Sequence, residues 1–201
     1  MRDSPLLQAL DQRRSTPSRQ LGDPGPDQHT LLRMLRSASR VPDHGKLVPF
    51  RFLRIDGQRR SALGEILAER TLEREPDAGA GTLAKERGRF SHAPVIVVVV
   101  ARLTPGHKVP EQEQLLTAGS VCFALLQAAQ ALGFGAQWLT GWAAYDAVVA
   151  TALGLQANEK VVGFIHIGTA SMDVPERERP DVATLLRDWS PGAPGPSDRH
   201  A

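Results

Sequence analysis

The sequence predicts an α+β or mixed α/β domain, and three observations point to it. Apolar residues recur at helical spacing in several segments, a β-branched run from Ala93 to Ala101 is typical of a strand buried on both faces, and predicted helices and strands are interleaved. Hydrophobic residues make up 41% of the 201 residues and charged residues 23%, so the chain can form a substantial core.

The boundaries of the predicted helices follow from capping residues and prolines. Ser4 and Pro5 favour a helix start, Asp27 caps the second helix, and Val41-Pro42 ends it. The longest predicted helix is apolar nearly all round, so we expect it in the middle of the molecule. The predicted helices span residues 5–12, 28–40, 59–73, 77–88, 112–132 and 145–153, and the predicted strands span 50–55, 94–101, 136–139 and 160–167.

The composition changes after Gly168, where Pro, Gly and charged residues become frequent. We therefore divide the chain into a domain, residues 1–170, and a C-terminal tail, residues 171–201. The tail cannot build its own core, so its apolar residues must pack on something or remain mobile; these are Val182, Leu185, Leu186 and Trp189. We expect residues 191–201 to be disordered.

Charge, hydropathy and cysteine content exclude several classes of function. The net charge of +2 indicates no nucleic-acid partner, and the run from Ala93 to Ala101 is too short to span a bilayer. The single cysteine, Cys122, cannot form an internal disulfide and is expected to be a buried structural thiol. We predict a cytoplasmic protein without a membrane or metal site. The sequence has no P-loop, no GxGxxG after a strand, no HExxH and no GxSxG.

Three fragments remain that could carry chemistry. Arg13-Arg14-Ser15 could grip a phosphate through charge-assisted hydrogen bonds, although taken alone it is more typical of a solvated basic helix end. The turn from Arg40 to Gly45 presents Arg40 and His44 together, which suits a phosphate or a polar ring edge as well as it suits an ordinary loop. The glycines of the segment from Gly133 to Trp142 would let the backbone approach a flat ring, or they simply end a helix before a core strand.

Two other polar candidates are weaker. Glu113, near the start of the long helix, could interact with the helix dipole or line a pocket. His107-Lys108 lies on a loop flanked by Pro and Gly and is predicted to be surface.

Taken together, the fragments and their spacing resemble the nitroreductase family. The resemblance is carried by QRRST, SRVPDHGKLVPFRF, HKVPEQEQLLTAGSVCFALLQAAQALGFGAQWLTG and EKVVGFIHIGT, which occur in family order over residues 5 to 170. The resemblance implies an α+β sandwich with a central mixed sheet surrounded by helices. It also implies an intertwined homodimer with two FMN sites at the subunit interface.

The resemblance assigns site residues position by position. The implied FMN contacts are Arg13, Arg14 and Ser15 at the ribityl phosphate, Arg40 and His44 at the flavin, and Trp138, Leu139 and Thr140 along the far side. The segment around Arg40 would reach the FMN of the partner subunit. The resemblance implies nicotinamide contacts at Ala128, Ala129, Gln130, Ala131, Leu132 and Gly133. Of all the assigned residues, these carry the least distinctive chemistry.

The implied activity is that of an FMN-dependent oxidoreductase. NADH or NADPH would reduce FMN, and a nitroaromatic, a quinone or a similar small molecule would then accept the reducing equivalents in a ping-pong scheme. FMN would carry the chemistry, so no catalytic side chain is predicted. Two alternatives stay open: a flavin-binding protein of the same fold that stores or degrades flavin, and a dimeric scaffold that has lost FMN.

Overall fold

Seven α-helices and five β-strands occupy residues 4–191, the part of the chain that the computed structural model describes. The helices are α1 (Pro5–Asp11), α2 (Gln28–Ala38), α3 (Gln58–Arg74), α4 (Ala80–Arg87), α5 (Glu111–Ala131), α6 (Ala147–Ala152) and α7 (Val182–Leu185). The strands are β1 (Leu21–Gly22), β2 (Phe50–Asp56), β3 (Val95–Arg102), β4 (Gly135–Leu139) and β5 (Glu159–Ala170). The α+β prediction is therefore confirmed.

Strand β5 lies at the centre of the sheet. It pairs with β3 along one edge and with β4 along the other, while β1 pairs with its C-terminal end and β2 extends the sheet beyond β3. All these pairs are antiparallel, so the expected mixed sheet is wrong for the described residues. The reason is that β3 and β4, joined through α5, run in the same direction, but β5 inserts between them and opposes both.

The buried strand predicted around residues 94–101 is confirmed as β3, which separates two hydrophobic cores. Val97 and Val99 pack on the side of α2 and α5, whereas Ile96 and Val98 pack on the side of α3, because successive side chains of a strand point to opposite faces. Each of these four side chains is at most 1% exposed. The uninterrupted apolar run in the sequence follows from this two-sided burial.

Helix α5 crosses one face of the sheet, as its apolar composition predicted. Val121, Cys122 and Leu125 are fully buried against the sheet and α2, and burial raises the pKa of the Cys122 thiol to about 12, which fits a structural thiol. A stripe on the opposite side of the helix stays exposed and includes Leu116 and Phe123.

The helix predicted over residues 145–153 is shorter than expected. A 3₁₀ turn occupies Trp142–Ala144, and α6 begins only at Ala147. Asp146 separates the two, because its carboxylate accepts hydrogen bonds from the backbone N–H groups of Val148 and Val149 and so caps α6. The predicted caps of the first two helices are confirmed, since the side chains of Ser4 and Asp27 accept from Leu6 and Thr30.

The described part of the tail, residues 171–191, carries the short helix α7. Within residues 4–191 its apolar side chains enter no core, and Trp189 is 86% exposed. The disorder expected for residues 191–201 falls, from residue 192 onward, outside the described part. Within residues 4–191 there is no helix with the length and apolarity that a membrane span requires.

Candidate functional site

Arg13, Arg14 and Ser15 lie at a small cavity of about 190 Å³ between the end of α1 and the tail. We call it the arginine cavity; it is lined by Arg13, Arg14, Ser15, Val174, Pro175, Arg177 and Arg179. The tail residues were not among the sequence predictions. In the sequence, the alternating acidic and basic residues from Glu176 to Arg179 look like a solvated tail. Only the fold shows that this segment returns to Arg14.

The arginine cavity has an excess of positive charge. Glu176 forms ion pairs with Arg14 and Arg179. One carboxylate thus faces two of the four arginines that line the cavity. Burial, together with the charges of Arg179, Arg177 and Arg14, holds the pKa of Arg13 below its usual value. Arg13 also donates from Nη1 to the hydroxyl of Ser15 at 3.1 Å. An anion in the cavity would relieve this repulsion and would find several donors already in place.

The chain leaving the arginine cavity runs along β4. The N–H of Thr16 donates to the carbonyl of Ala136 at 3.0 Å, and the N–H of Ser18 donates to the side-chain oxygen of Gln137 at 2.6 Å. The three steps along the chain from Ser15 to Ser18 cover at most about 10 Å. The structure therefore brings the Arg13–Ser15 fragment beside the strand that carries Trp138 and Leu139.

A second cavity, of about 490 Å³, lies at the far end of this segment. We call it the strand cavity; its lining is Ser18, Arg19, Ala84, Lys85, Gly88, Arg89, His92 and Leu139. Its lining combines the apolar side chain of Leu139 with polar and cationic side chains. The cationic residues here are a second group that the sequence predictions missed, since they come from segments 70 residues apart.

Arg89 is fixed at the strand cavity by a buried carboxylate. Glu86 is 6% exposed and receives two bonds from Arg89, at 2.7 Å from Nε and 2.5 Å from Nη2, and one from the indole N–H of Trp142 at 3.2 Å. Burial alone would raise the pKa of Glu86, but the bonds and charge of Arg89 hold it below its usual value. The guanidinium is thus preorganised at the cavity.

The residues predicted on β4 do not share one cavity. Leu139 faces the strand cavity, whereas Trp138 faces the opposite side of the sheet and lines an apolar cavity of about 640 Å³ with Leu116 and Tyr145. This separation follows from strand alternation. Thr140 follows directly after β4 and is half-buried.

His44 lies far from the arginine cavity within one chain, and Arg40 stands two residues before Pro42, whose carbonyl accepts a hydrogen bond from Thr117, one turn beyond Glu113 on α5. The imidazole Nδ1 of His44 is 2.7 Å from Oε2 of Glu113, near the start of α5, whereas the N–H of Arg14 donates to Gln130, near its end. The 17 residues from 113 to 130 span about 25 Å along a helix. The structure therefore does not bring the two halves of the predicted FMN site together in a single chain.

The predicted nicotinamide segment, residues 128–133, closes α5. Gln130 and Gly133 line a cavity of about 420 Å³ that also touches Arg14 and Thr16. Ala129 is fully buried in the core and offers no surface to a ligand, so its assignment as a contact is not supported by this fold. For Ala128, Gln130, Ala131, Leu132 and Gly133 the nicotinamide contact stays a prediction.

Comparisons with known proteins agree with these features. The model of the nitroreductase family matches residues 10–169. YdjA of Escherichia coli strain K12, an NAD(P)H nitroreductase by name, is 35% identical over 176 residues, which cover 85% of this chain and 94% of YdjA. A Haemophilus influenzae protein, also an NAD(P)H nitroreductase by name, is 34% identical over 162 residues, covering 80% of this chain and 86% of that protein.

Solved structures give the same result for the fold. A nitroreductase-like family protein from Bacillus cereus superimposes with a TM-score of 0.78 at 20% identity, covering 94% of this chain and 98% of that one. A nitroreductase from Desulfovibrio desulfuricans, solved in complex with FMN, gives a TM-score of 0.72 at 26% identity, covering 94% and 99%. Because the family model and the relatives extend over most of the chain, this protein belongs to the nitroreductase family.

Proposed function

We propose that this protein is an FMN-dependent NAD(P)H oxidoreductase. The observation that carries the proposal is the arginine cavity, which is joined to the strand cavity by the segment from Ser15 to Ser18. The names of the relatives and the FMN complex of a structural neighbour support the same conclusion. We take residues 1–170 as the FMN-binding domain, with the tail completing the phosphate end.

The residues present fit the chemical parts of FMN. A phosphate dianion matches the four guanidinium groups and the Ser15 hydroxyl of the arginine cavity. A flat ring with polar edges matches a cavity whose lining combines the apolar Leu139 with cationic side chains. We infer that Arg13, Arg14 and Ser15 hold the phosphate together with Arg177 and Arg179. We infer that Leu139 and Thr140 lie along the rest of the cofactor.

Bound FMN would supply the redox chemistry, taking a hydride from NADH or NADPH and later reducing an acceptor, which side chains alone cannot do. The chain itself contributes binding and electrostatics. Arg19 and Lys85, together with the fixed Arg89, favour negative charge on a group in the strand cavity. The acceptor is proposed to be a nitroaromatic, a quinone or a similar small molecule.

We also propose that the active form is a homodimer with one FMN per subunit. His44 lies about 25 Å along α5 from the Arg14 end, and Arg40 is four residues before it, so we infer that both reach the FMN of a second copy. A surface for that copy exists where α1 and α5 leave large apolar side chains exposed. We call it the apolar face; it consists of Leu6, Leu7, Leu10, Leu115, Leu116 and Phe123. A cytoplasmic location is part of the same proposal.

The absorbance spectrum of the purified protein tests the proposal. We expect a flavin spectrum with one FMN per chain that NADH or NADPH bleaches without oxygen and that an acceptor restores. Bound FMN that neither nucleotide bleaches would instead favour flavin storage or breakdown. Protein that stays colourless and takes up no added FMN would overturn both functions and leave a non-catalytic scaffold.

A further inference from the structure

The hydrogen bond between His44 and Glu113 joins the loop after α2 to the first turn of α5. We propose that Glu113 is a positioning residue, which holds the His44 imidazole in the Nδ1–H form and leaves Nε2 free to face the FMN site of a second copy. The inference rests on the proposed function for the identity of the group that Nε2 meets. The hold on the imidazole itself is independent of that function.

The loop that carries His44 is fixed at several points. The carboxylate of Asp43 accepts from the N–H of Leu47 at 3.1 Å and from that of Val48 at 2.8 Å. The hydroxyl of Thr117, one turn beyond Glu113 on α5, donates to the carbonyl of Pro42 at 3.1 Å. Because the backbone on both sides of His44 is tied down, the remaining freedom at this position is mainly that of the side chain.

The same loop holds an uncommon backbone conformation. Lys46 and Val48 have positive φ angles of 55° and 48°, which side chains other than Gly rarely adopt and which are unfavourable for a β-branched residue. Such conformations persist where the surrounding contacts enforce them, and they concentrate at functional sites. The loop is therefore built to present one defined surface, although His44 and Glu113 are both largely solvent-exposed in the single chain.

The chemistry of the pair decides which nitrogen carries the proton. An ionised carboxylate only accepts hydrogen bonds, so the nitrogen that faces Glu113, Nδ1, must be the donor. In the neutral ring Nε2 is then an acceptor, and in the charged ring it is a donor. Glu113 thus sets both the ring orientation and the hydrogen-bonding role of the free nitrogen.

A purely structural role explains these observations less well. Ion pairs between exposed side chains contribute little to stability, so the pair is a poor device for holding the fold. A role as dipole partner of α5 is shared with Glu111, which lies in the same first turn. Glu111 therefore provides a matched control, since it has the same charge and lies in the same first turn without the bond to His44.

Nitrogen NMR of the protein as purified, with ¹⁵N in the histidine rings, tests the hold on His44. Spectra are recorded at a pH well above the usual histidine range, and the signals are assigned with a His44→Gln variant. We expect the Nδ1–H form in the wild type and in Glu111→Ala, and a shift towards Nε2–H in Glu113→Ala. The same form in all three proteins, or an equal shift in both variants, would overturn the proposal.

Kinetics then test whether the hold matters for the reaction. We expect Glu113→Ala to lower kcat/KM about tenfold with unchanged FMN content, because the His44 imidazole is no longer held in place at the FMN site of the second copy. Glu113→Gln, which retains an acceptor oxygen, should recover part of that loss, and Glu111→Ala should behave as the wild type. Unchanged kinetics in a variant whose imidazole has switched form would refute the positioning role.

The two proposals can fail separately. If no preparation binds FMN or oxidises NAD(P)H, the proposed function fails, but the NMR comparison still decides whether Glu113 fixes the imidazole. If FMN binds and turns over but the wild-type ring is not in the Nδ1–H form, the further inference fails and the oxidoreductase proposal stands.

Discussion

The indole ring of Trp138 on β4 lies directly against Gly163 on the neighbouring strand β5. Its N–H donates to the carbonyl of Val162 at 3.1 Å, and a Cβ built at Gly163 would overlap the ring. The contact is made possible by the missing side chain, since any other residue at 163 would occupy the space of the indole.

Gly163→Ala should displace Trp138 and destabilise the protein by about 1–3 kcal/mol, the usual effect of overpacking. Tryptophan fluorescence should shift to the red as the indole loses its place, and thermal unfolding gives the stability. Gly81→Ala is the matched control, because it lies in helix α4 with nothing within 4 Å of the added Cβ. A variant at 163 as stable as wild type would show that the indole relocates freely.

His166 makes the folded protein sensitive to acid. Its side chain is 1% exposed, stacks on Phe90, and neither ring nitrogen has a partner among the described residues. Burial, with a smaller contribution from His92, lowers the pKa of His166 from 6.5 to about 4. The folded state therefore prefers the neutral ring, so stability is complete above pH 6.5 and declines as the pH falls toward 4.

The expected loss from this group is on the order of 3 kcal/mol between neutral pH and pH 4. His166→Phe should remove that part of the pH dependence, because a phenyl ring can stack on Phe90 without titrating. Urea unfolding of both proteins at several pH values measures the difference. Parallel stability curves for the two proteins would contradict the assignment.

Arg13→Ala should weaken FMN binding roughly ten- to hundredfold. The loss of one charge-assisted hydrogen bond costs about 1.5–3 kcal/mol, and a phosphate in the arginine cavity would lose such a contact. Fluorescence titration of the apo-protein with FMN measures the affinity. Arg33→Ala, an exposed arginine of α2, serves as the control. Equal affinities in the two variants would mean that Arg13 does not contact the phosphate.

The reaction should follow a ping-pong scheme. No GxGxxG motif exists to hold the nucleotide beside the cofactor, so donor and acceptor are expected to use the same open face in turn. Initial-rate plots at several acceptor concentrations should give parallel lines. Intersecting lines would indicate a ternary complex and a separate nicotinamide pocket.

Phe123→Asp should dissociate the dimer and release FMN, because it places a charge in the apolar face that we propose contacts the second copy. Sedimentation equilibrium gives the oligomeric state, and the flavin absorbance gives the occupancy. Leu72→Asp changes a similarly exposed residue on α3 and should leave both unchanged. A monomer that still holds FMN would contradict the proposal that two copies share each FMN site.

Local patterns were sufficient to predict most of the secondary structure, although β1 and α7 were not predicted. The run of β-branched residues predicted β3, and capping residues such as Asp27 predicted helix starts, because both signals act over a few neighbouring residues. The start of α6 was predicted two residues too early, at Tyr145, because the spacing of apolar residues does not change at the capping residue Asp146. Strand direction was also beyond local patterns, because it depends on β5 inserting between β3 and β4.

The candidate site was predicted in part for a related reason. Arg13 and Leu139 were singled out by resemblance, but Arg89 and Arg177 belong to charged segments that look like ordinary surface until the fold is known. The partner of Glu113 was likewise unpredictable, because it comes from a loop 69 residues away. Contacts between distant segments carry no signature in either segment alone.

The arginine cavity is built from two segments far apart in the sequence, with Arg13 just after α1 and Arg177 and Arg179 in the tail. Bringing Arg177 to Arg13 closes a loop that contains all five strands, so the cavity is a long-range contact whose entropic cost is offset by the folding of the sheet. If the cavity holds the phosphate as proposed, a chain that ends before residue 177 would keep all five strands but lose two of the four arginines, and it should retain FMN less well than the full chain.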